Sequence, residues 1–172
     1  MTRGGVMIRP ATPADHDAIW GILEPIYRAG ETYCIPRDIS RQAALDDWFA
    51  APFSAFVALA DDGQVLGTSH VGMNRPGGAA HVANASFATS PAARGRGVAR
   101  KLCEHAKAWA RDQGFRAMQF NFVVATNDDA VHLWQKLGFS VVGRLPGAFH
   151  HPKHGYVDAL VMYCDLTLGD TP

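Results

Sequence analysis

The sequence predicts a mixed α/β fold built on a mostly antiparallel central sheet with helices on both faces, and three observations carry that expectation. Three strand-period runs succeed one another across short turns between residues 54 and 89, the pattern of a meander. The order then becomes strand, glycine-rich turn, helix, strand, helix, strand up to residue 166. A chain of 172 residues is long enough for one core and short for two, and no linker or repeat divides it. We therefore expect a single domain over residues 1–172 with its core at about 6–167.

Residues 6–10 read as a short first strand that Pro10 stops. Thr12, Pro13 and Asp15 then supply an N-cap, a proline at the first helical position and an acid at the third. Ile19, Leu23, Ile26 and Tyr27 recur at helical spacing behind them, while Pro25 predicts a kink or an early end and Gly30 closes the segment. After a loop over 31–37, Ser40 caps a short helix carrying Ala44, Leu45, Trp48 and Phe49. Strands are expected at 55–59, 65–73 and 81–89, separated by turns at 61–64 and 74–78. Val98, Leu102, His105, Ala106 and Trp109 mark a helix ended by Gly114, and 117–124 is strongly strand-forming. Asn127 caps a helix with Ala130, Val131, Trp134 and Leu137 on its apolar face and Gly138 at its end. Strands at 139–145 and 156–166 finish the fold, joined by a loop over 146–155, with a frayed tail at 169–172.

Sixteen basic residues balance sixteen acidic ones, which removes the broad attraction expected of a nucleic-acid or membrane-surface binder. Any anion must be held locally. Cys34, Cys103 and Cys164 are odd in number and far apart, so neither a zinc knuckle nor a disulfide framework is expected, and a reducing compartment fits. No apolar run approaches 18 residues and no leader is recognisable, which points to the cytoplasm. His150, His151 and His154 have no cysteine near them and read as part of an exposed or pocket-rim loop, so no metal is expected.

The chemistry concentrates at Arg94-Gly95-Arg96-Gly97, between a strand and a helix. The run lacks the lysine and hydroxyl of a nucleoside-triphosphate loop and the G-x-G-x-x-G spacing of a dinucleotide fold. It does place two glycines where first-turn amides are unpaired and backbone can approach a ligand, with Arg94 and Arg96 at hand for a diphosphate. A solvent-facing helix start with basic decoration is the alternative.

This run resembles the acyl-CoA signature of the Gcn5-related N-acetyltransferase superfamily, met here by Arg94, Gly97 and Ala99. The likeness continues through Gly114-Phe115, Asn127-Asp128-Asp129-Ala130 and Leu133-Trp134-Gln135-Lys136-Leu137-Gly138-Phe139, covering at least residues 54–166. It implies acetyl-CoA as acetyl donor, held by Arg94, Gly95, Arg96, Gly97, Val98 and Ala99, and a pair of parallel strands that splay apart. Pantetheine would lie in that cleft against Phe87, Ala88 and Thr89, with Asn127 and Trp134 beside it. Trp134 stands where many members carry a tyrosine that protonates the departing thiolate, and an indole N–H donates but is no useful acid.

Acyl transfer to nitrogen needs a neutral amine, a reachable thioester carbonyl and a donor for the developing oxyanion. With a pKa of about 10.4, only roughly 0.04% of an amine is neutral at pH 7, so a route for its proton matters equally. Asn84 and Asn121 lie mid-strand, where asparagine is a poor strand former and a buried carboxamide must satisfy both ends. Both are candidate ligand contacts; the alternative is that they bridge the splayed backbones or face solvent. Glu31 and Tyr33, in the loop after the first helix, are candidates to orient an amine, as is Phe122 for the substrate wall, and Asp158 for proton relay.

A narrower resemblance rests on Asn84-Ala85-Ser86, the run from Met118 to Val124, Thr126-Asn127 and Gly143-Arg144-Leu145-Pro146. These are similar to fungal N-acetyltransferases that detoxify L-azetidine-2-carboxylate and related proline analogues. By that likeness Asn84 and Asn121 grip a substrate carboxylate and position its ring nitrogen, Asn127 meets CoA, and the protein is a homodimer. The expected partner is thus a small amino or imino acid. Alternatives are another small amine (an antibiotic, a polyamine or a phosphinic amino acid), a protein amine, or a CoA-binding module without catalysis.

Overall fold

The computed structural model describes residues 5–168. Seven strands, β1 Val6–Pro10, β2 Ser54–Ala60, β3 Val65–Met73, β4 Val82–Thr89, β5 Ala117–Val124, β6 Ser140–His151 and β7 Gly155–Asp165, form one sheet in the order β1-β2-β3-β4-β5-β7-β6. Every pairing is antiparallel except β4 with β5. The helices are α1 His16–Ala29, α2 Arg41–Trp48, α3 Val98–Asp112 and α4 Asp128–Lys136. The tail at 169–172 lies outside the described residues.

Alternation along β2 shows how the layers form. Phe56 and Ala58 join the core under α3 and α4, while Val57 and Leu59 join Ile19, Leu23 and Trp48 beneath α1 and α2. The sheet is therefore covered on both faces. Helix α3 comes closest at Gly67, where a Cβ would sit 3.0 Å from each of the Ala88 carbonyl, Leu102 Cδ1 and Val98 Cγ1. Only glycine lets it seat so deeply.

Thr12 caps the first helical turn reciprocally with Asp15, whose carboxyl is held down at about 2 by the Arg9 guanidinium at 2.8 Å. The expected early end at Pro25 does not occur: α1 runs through it to Ala29. Ile19, Ile22, Leu23 and Tyr27 are buried along that helix, at about 1.5–3 kcal/mol apiece, which outweighs the roughly 3 kcal/mol cost of an interior proline. The expected loop over 146–155 is also corrected. β6 continues through Pro146 to His151, and the connection shrinks to Pro152, Lys153 and His154. A register irregularity between Leu145 and Phe149 absorbs the proline, which needs no ladder donor on an edge strand. His151 is buried and its Nδ1 accepts the Lys153 amide at 3.1 Å, so this imidazole shapes the turn.

Helix α2 is docked by Trp48, whose indole N–H donates to Thr68 Oγ1 at 3.1 Å while its ring stacks on His70 at 4.3 Å. Phe53 covers the other face of that imidazole at 4.6 Å, and His70 Nδ1–H donates to the Trp48 carbonyl at 3.0 Å. Burial pushes the His70 pKa down, and His105 shifts the same way for the same reason. Folding thus favours the neutral rings. Their contribution is complete above the unfolded pKa of about 6.5 and erodes as pH falls below it, by up to about 1.4 kcal/mol per pH unit for each proton. Urea midpoints are expected to drop between pH 7.5 and pH 5, with a shallower drop in His70→Gln; an unchanged slope in that variant would remove His70 from the account.

Among the described residues no helix is long and apolar enough to cross a membrane.

Candidate active site

The parallel pair β4–β5 is joined only at its start, with Val82 opposite Ala117 and Ala83 opposite Met118. Beyond that point the strands part. On the far side of β5, Phe120 pairs with Met162 and Val123 with Leu160, so two residues of β5 face one of β7. That bulge bends β5 away from β4 and re-aims Asn121 and Phe122.

Which backbone groups the gap exposes follows from the ladder on the other side. The Val82 carbonyl accepts the Asn74 amide and the Ser90 amide donates to Leu66, each at 2.9 Å, so even-numbered residues of β4 pair with β3. Ala85, Phe87 and Thr89 consequently turn their N–H and C=O groups into the gap, whereas Ala88 turns its own toward β3. The Tyr33 hydroxyl donates to the Phe87 carbonyl. Burial pushes this phenol's pKa well up, so it stays protonated.

The gap widens into a cavity of about 610 Å³. Its walls include Asn84, Asn121 and Phe122 at the fork, Tyr33 from the loop after α1, and Ala99, Asn127 and Trp134 from the helices. Phe87, Ala88 and Thr89 line it along β4. Trp134 packs its ring 5.1 Å from Phe87 and 5.2 Å from Phe120. Asp129 is the one carboxylate among the lining residues, and no imidazole is among them.

Arg94, Gly95, Arg96 and Gly97 are exposed beside this cavity and do not line it. Gly95 and Gly97 have φ of 73° and 69°, left-handed values that favour glycine, and nothing lies within 4 Å of where a Cβ would be. Gly97 begins α3 without a side-chain cap, and Lys101 is the first amide bonded back to it, at 3.1 Å. The first-turn amides of Val98, Ala99 and Arg100 therefore have no acceptor within the helix. The Val98 side chain is buried in the core, so only its backbone faces outward. Among the described residues neither the Arg94 nor the Arg96 guanidinium meets a carboxylate. Open amides, two glycine cradles and free guanidinium groups suit a diphosphate, and the exposed β4 groups suit an amide-bearing arm laid into the gap.

Three expected roles look different in place. Asn127 occupies the N-cap position of α4 but makes no capping hydrogen bond; its ψ of 66° departs from the extended geometry capping needs, and the residue lines the cavity. Glu31 is outside the cavity lining and pairs with Lys153 at 2.6 Å, which holds its carboxyl below the usual range. Asp158 is bound to Arg144 at 2.8 Å and to the Gly147 amide at 2.9 Å, bracing the β6–β7 hairpin. Sequence reasoning missed Asn74 and Gln119, which bond the two fork asparagines. Gln119 had one visible signal, its position two residues before Asn121 on a strand.

Comparison with known proteins adds four findings. A model of the acetyltransferase (GNAT) family matches residues 17–139. The N-acetyltransferase aca1 of Schizosaccharomyces pombe is 31% identical over 148 residues, 77% of this chain and 71% of that protein. Among solved structures, a GCN5-related N-acetyltransferase from Kribbella flavida has a TM-score of 0.89 at 47% identity, over 93% of this chain and 97% of that one. The structure of yncA, an acetyltransferase-like protein from Salmonella typhimurium with its cofactor acetyl-CoA, has a TM-score of 0.82 at 25% identity over 98% of each chain.

Proposed function

This chain belongs to the GNAT family of acetyltransferases, and from that premise we propose that its acceptor is a small amino or imino acid, with a toxic proline analogue such as L-azetidine-2-carboxylate as first choice. The enzyme is an acetyl-CoA-dependent N-acetyltransferase. The observation that supports the acceptor reading is the pair of carboxamides, Asn84 and Asn121, beside the fork in a cavity with one carboxylate among its lining residues. Neutral amides recognise a compact zwitterion by hydrogen bonds, whereas a polyamine or aminoglycoside would call for several carboxylates.

Acetyl-CoA supplies the activated acetyl carbonyl. The amides of Val98, Ala99 and Arg100, with Arg94 and Arg96, are assigned its diphosphate, and Ala85, Phe87 and Thr89 its pantetheine arm. The Phe87 N–H, fixed by the sheet and aimed into the gap, is suited to the developing oxyanion. Tyr33 is the one phenol among the lining residues, but burial makes it a hydrogen-bond donor and not an acid; with Trp134 equally unable to serve, the thiolate leaves stabilised by N–H and O–H donors and takes its proton from water. Water or Asp129 takes the proton from the amine.

Release of free thiol from acetyl-CoA, screened across imino acids, amino acids, polyamines and aminoglycosides, tests this. The imino acids are expected to give the highest kcat/KM. Preference for a polyamine or aminoglycoside would overturn the acceptor assignment, and no release with any amine would favour a binding module. We further assign a second copy of the chain to edge strand β6, where Val142 is 61% exposed, with Tyr156 of β7 at 77%. A monomer in sedimentation equilibrium would remove that assignment. Cys34, Cys103 and Cys164 form no disulfide, which fits a reducing, cytoplasmic setting.

A further inference from the structure

We infer that Gln119 and Asn74 are positioning residues that give the two fork asparagines opposite polarity, so that Asn84 presents an oxygen to the acceptor's amine while Asn121 presents an N–H to its carboxylate. This rests on the acceptor reading above and adds to it a division of labour and two residues outside the cavity lining.

The assignment follows from counting donors and acceptors. Asn84 Nδ2 donates to the Gln119 backbone carbonyl at 2.9 Å across the fork. That bond fixes which end of the carboxamide is nitrogen. Among the described residues nothing bonds Asn84 Oδ1, so both its lone pairs are left to accept from a ligand, beside the one N–H that Nδ2 retains. Asn121 is arranged the other way: its Oδ1 accepts Gln119 Nε2 at 2.9 Å, and its Nδ2 donates to Asn74 Oδ1 at 2.7 Å. One N–H remains on its nitrogen, while its oxygen already carries one bond and keeps a single lone pair, against two on Asn84. Gln119 thus sets both asparagines, one with its backbone and the other with its side chain.

Asn74 is held at the end of β3, where its amide donates to the Val82 carbonyl at 2.9 Å. Turning Asn121 over by itself would set oxygen against Asn74 Oδ1 and N–H against Gln119 Nε2. Like would then face like at both ends, so the orientation of Asn121 is tied to its two neighbours.

Two charge-matched substitutions separate the polarity from everything else. Asn74→Asp can only accept and keeps the native sense. Gln119→Glu can only accept where a donor is needed, forces Asn121 over, and leaves the backbone bond to Asn84 intact. The reading is the ratio of kcat/KM for azetidine-2-carboxylate to that for azetidine, the same ring amine without its carboxyl. Gln119→Glu is expected to lower this ratio by about 10-fold or more relative to Asn74→Asp, the usual effect of losing a hydrogen bond to a charged group. Equal ratios in the two variants would overturn the inference, since a merely structural role lowers both substrates together. A second measurement needs no acceptor: in nitrogen-15 spectra of the free protein, the one Asn121 side-chain proton donated to Asn74 should resist solvent exchange in the wild type and in Asn74→Asp, and lose that resistance in Asn74→Ala. Fast exchange in the wild type would overturn the relay. If the wild type acetylated neither ring amine, the acceptor reading would fall and the spectra would still decide the relay.

Discussion

Asn121→Ala is expected to lower kcat by about 100-fold while changing the Kd for acetyl-CoA by less than about threefold. The truncation removes a donor from the cavity and also strands Gln119 Nε2 and Asn74 Oδ1, which now lie 2.9 and 2.7 Å from its carboxamide. An unsatisfied buried polar group costs about 1–3 kcal/mol, so the loss falls on the geometry of the acceptor at the fork. The diphosphate region, where the cofactor would draw its charge-assisted affinity, is left untouched. Arg96→Ala is the matching control. It should raise that Kd by about 5–10-fold, the worth of one exposed charge-assisted contact, with kcat nearly unchanged. Calorimetric titration and steady-state rates on both variants check the pair. Equal losses of CoA affinity would remove the assignment of Asn121 to the acceptor.

Trp48→Ala is expected to destabilise the fold by about 3–5 kcal/mol, a large share of a domain's total stability. Trp48 is 1% exposed at the end of α2 and packs between that helix and the sheet. Its removal leaves a cavity against His70, a ring that currently has an aromatic on each face. Trp48→Phe should cost less, because Thr68 Oγ1 keeps its bond to the Phe56 carbonyl at 2.8 Å and loses only the indole donor. Urea unfolding with a constant m-value measures both. A shift below about 1.5 kcal/mol for the alanine variant would mean that α2 is not docked through this residue.

The helix starts, the meander and the glycine turn were legible because each is written within a few residues. Thr12 and Asp15, Ser40 and Ala43, and Gly97 at the head of α3 act over less than one turn. What proved illegible depends on partners distant in the chain. Pro146 reads as a loop residue until β7 is placed beside it and a bulge takes it in. Asn127 reads as a cap until its ψ is known. Asn121 meets Asn74 across 47 residues, a pairing that requires the register of β3 on β4 and the bend of β5. Glu31 reads as a candidate to orient an amine from its place in the loop after α1, and its salt bridge with Lys153 shows that a loop carboxylate is as readily used to fasten one loop to another.

In most sheets the outermost strands loosen first and the centre last. In this sheet the amides of Ala85 and Phe87 sit mid-sheet without a ladder partner. A bound donor molecule would complete the torn seam as a surrogate strand. A ligand that binds the folded state alone stabilises it, so saturation with acetyl-CoA would close the weakest line of the sheet.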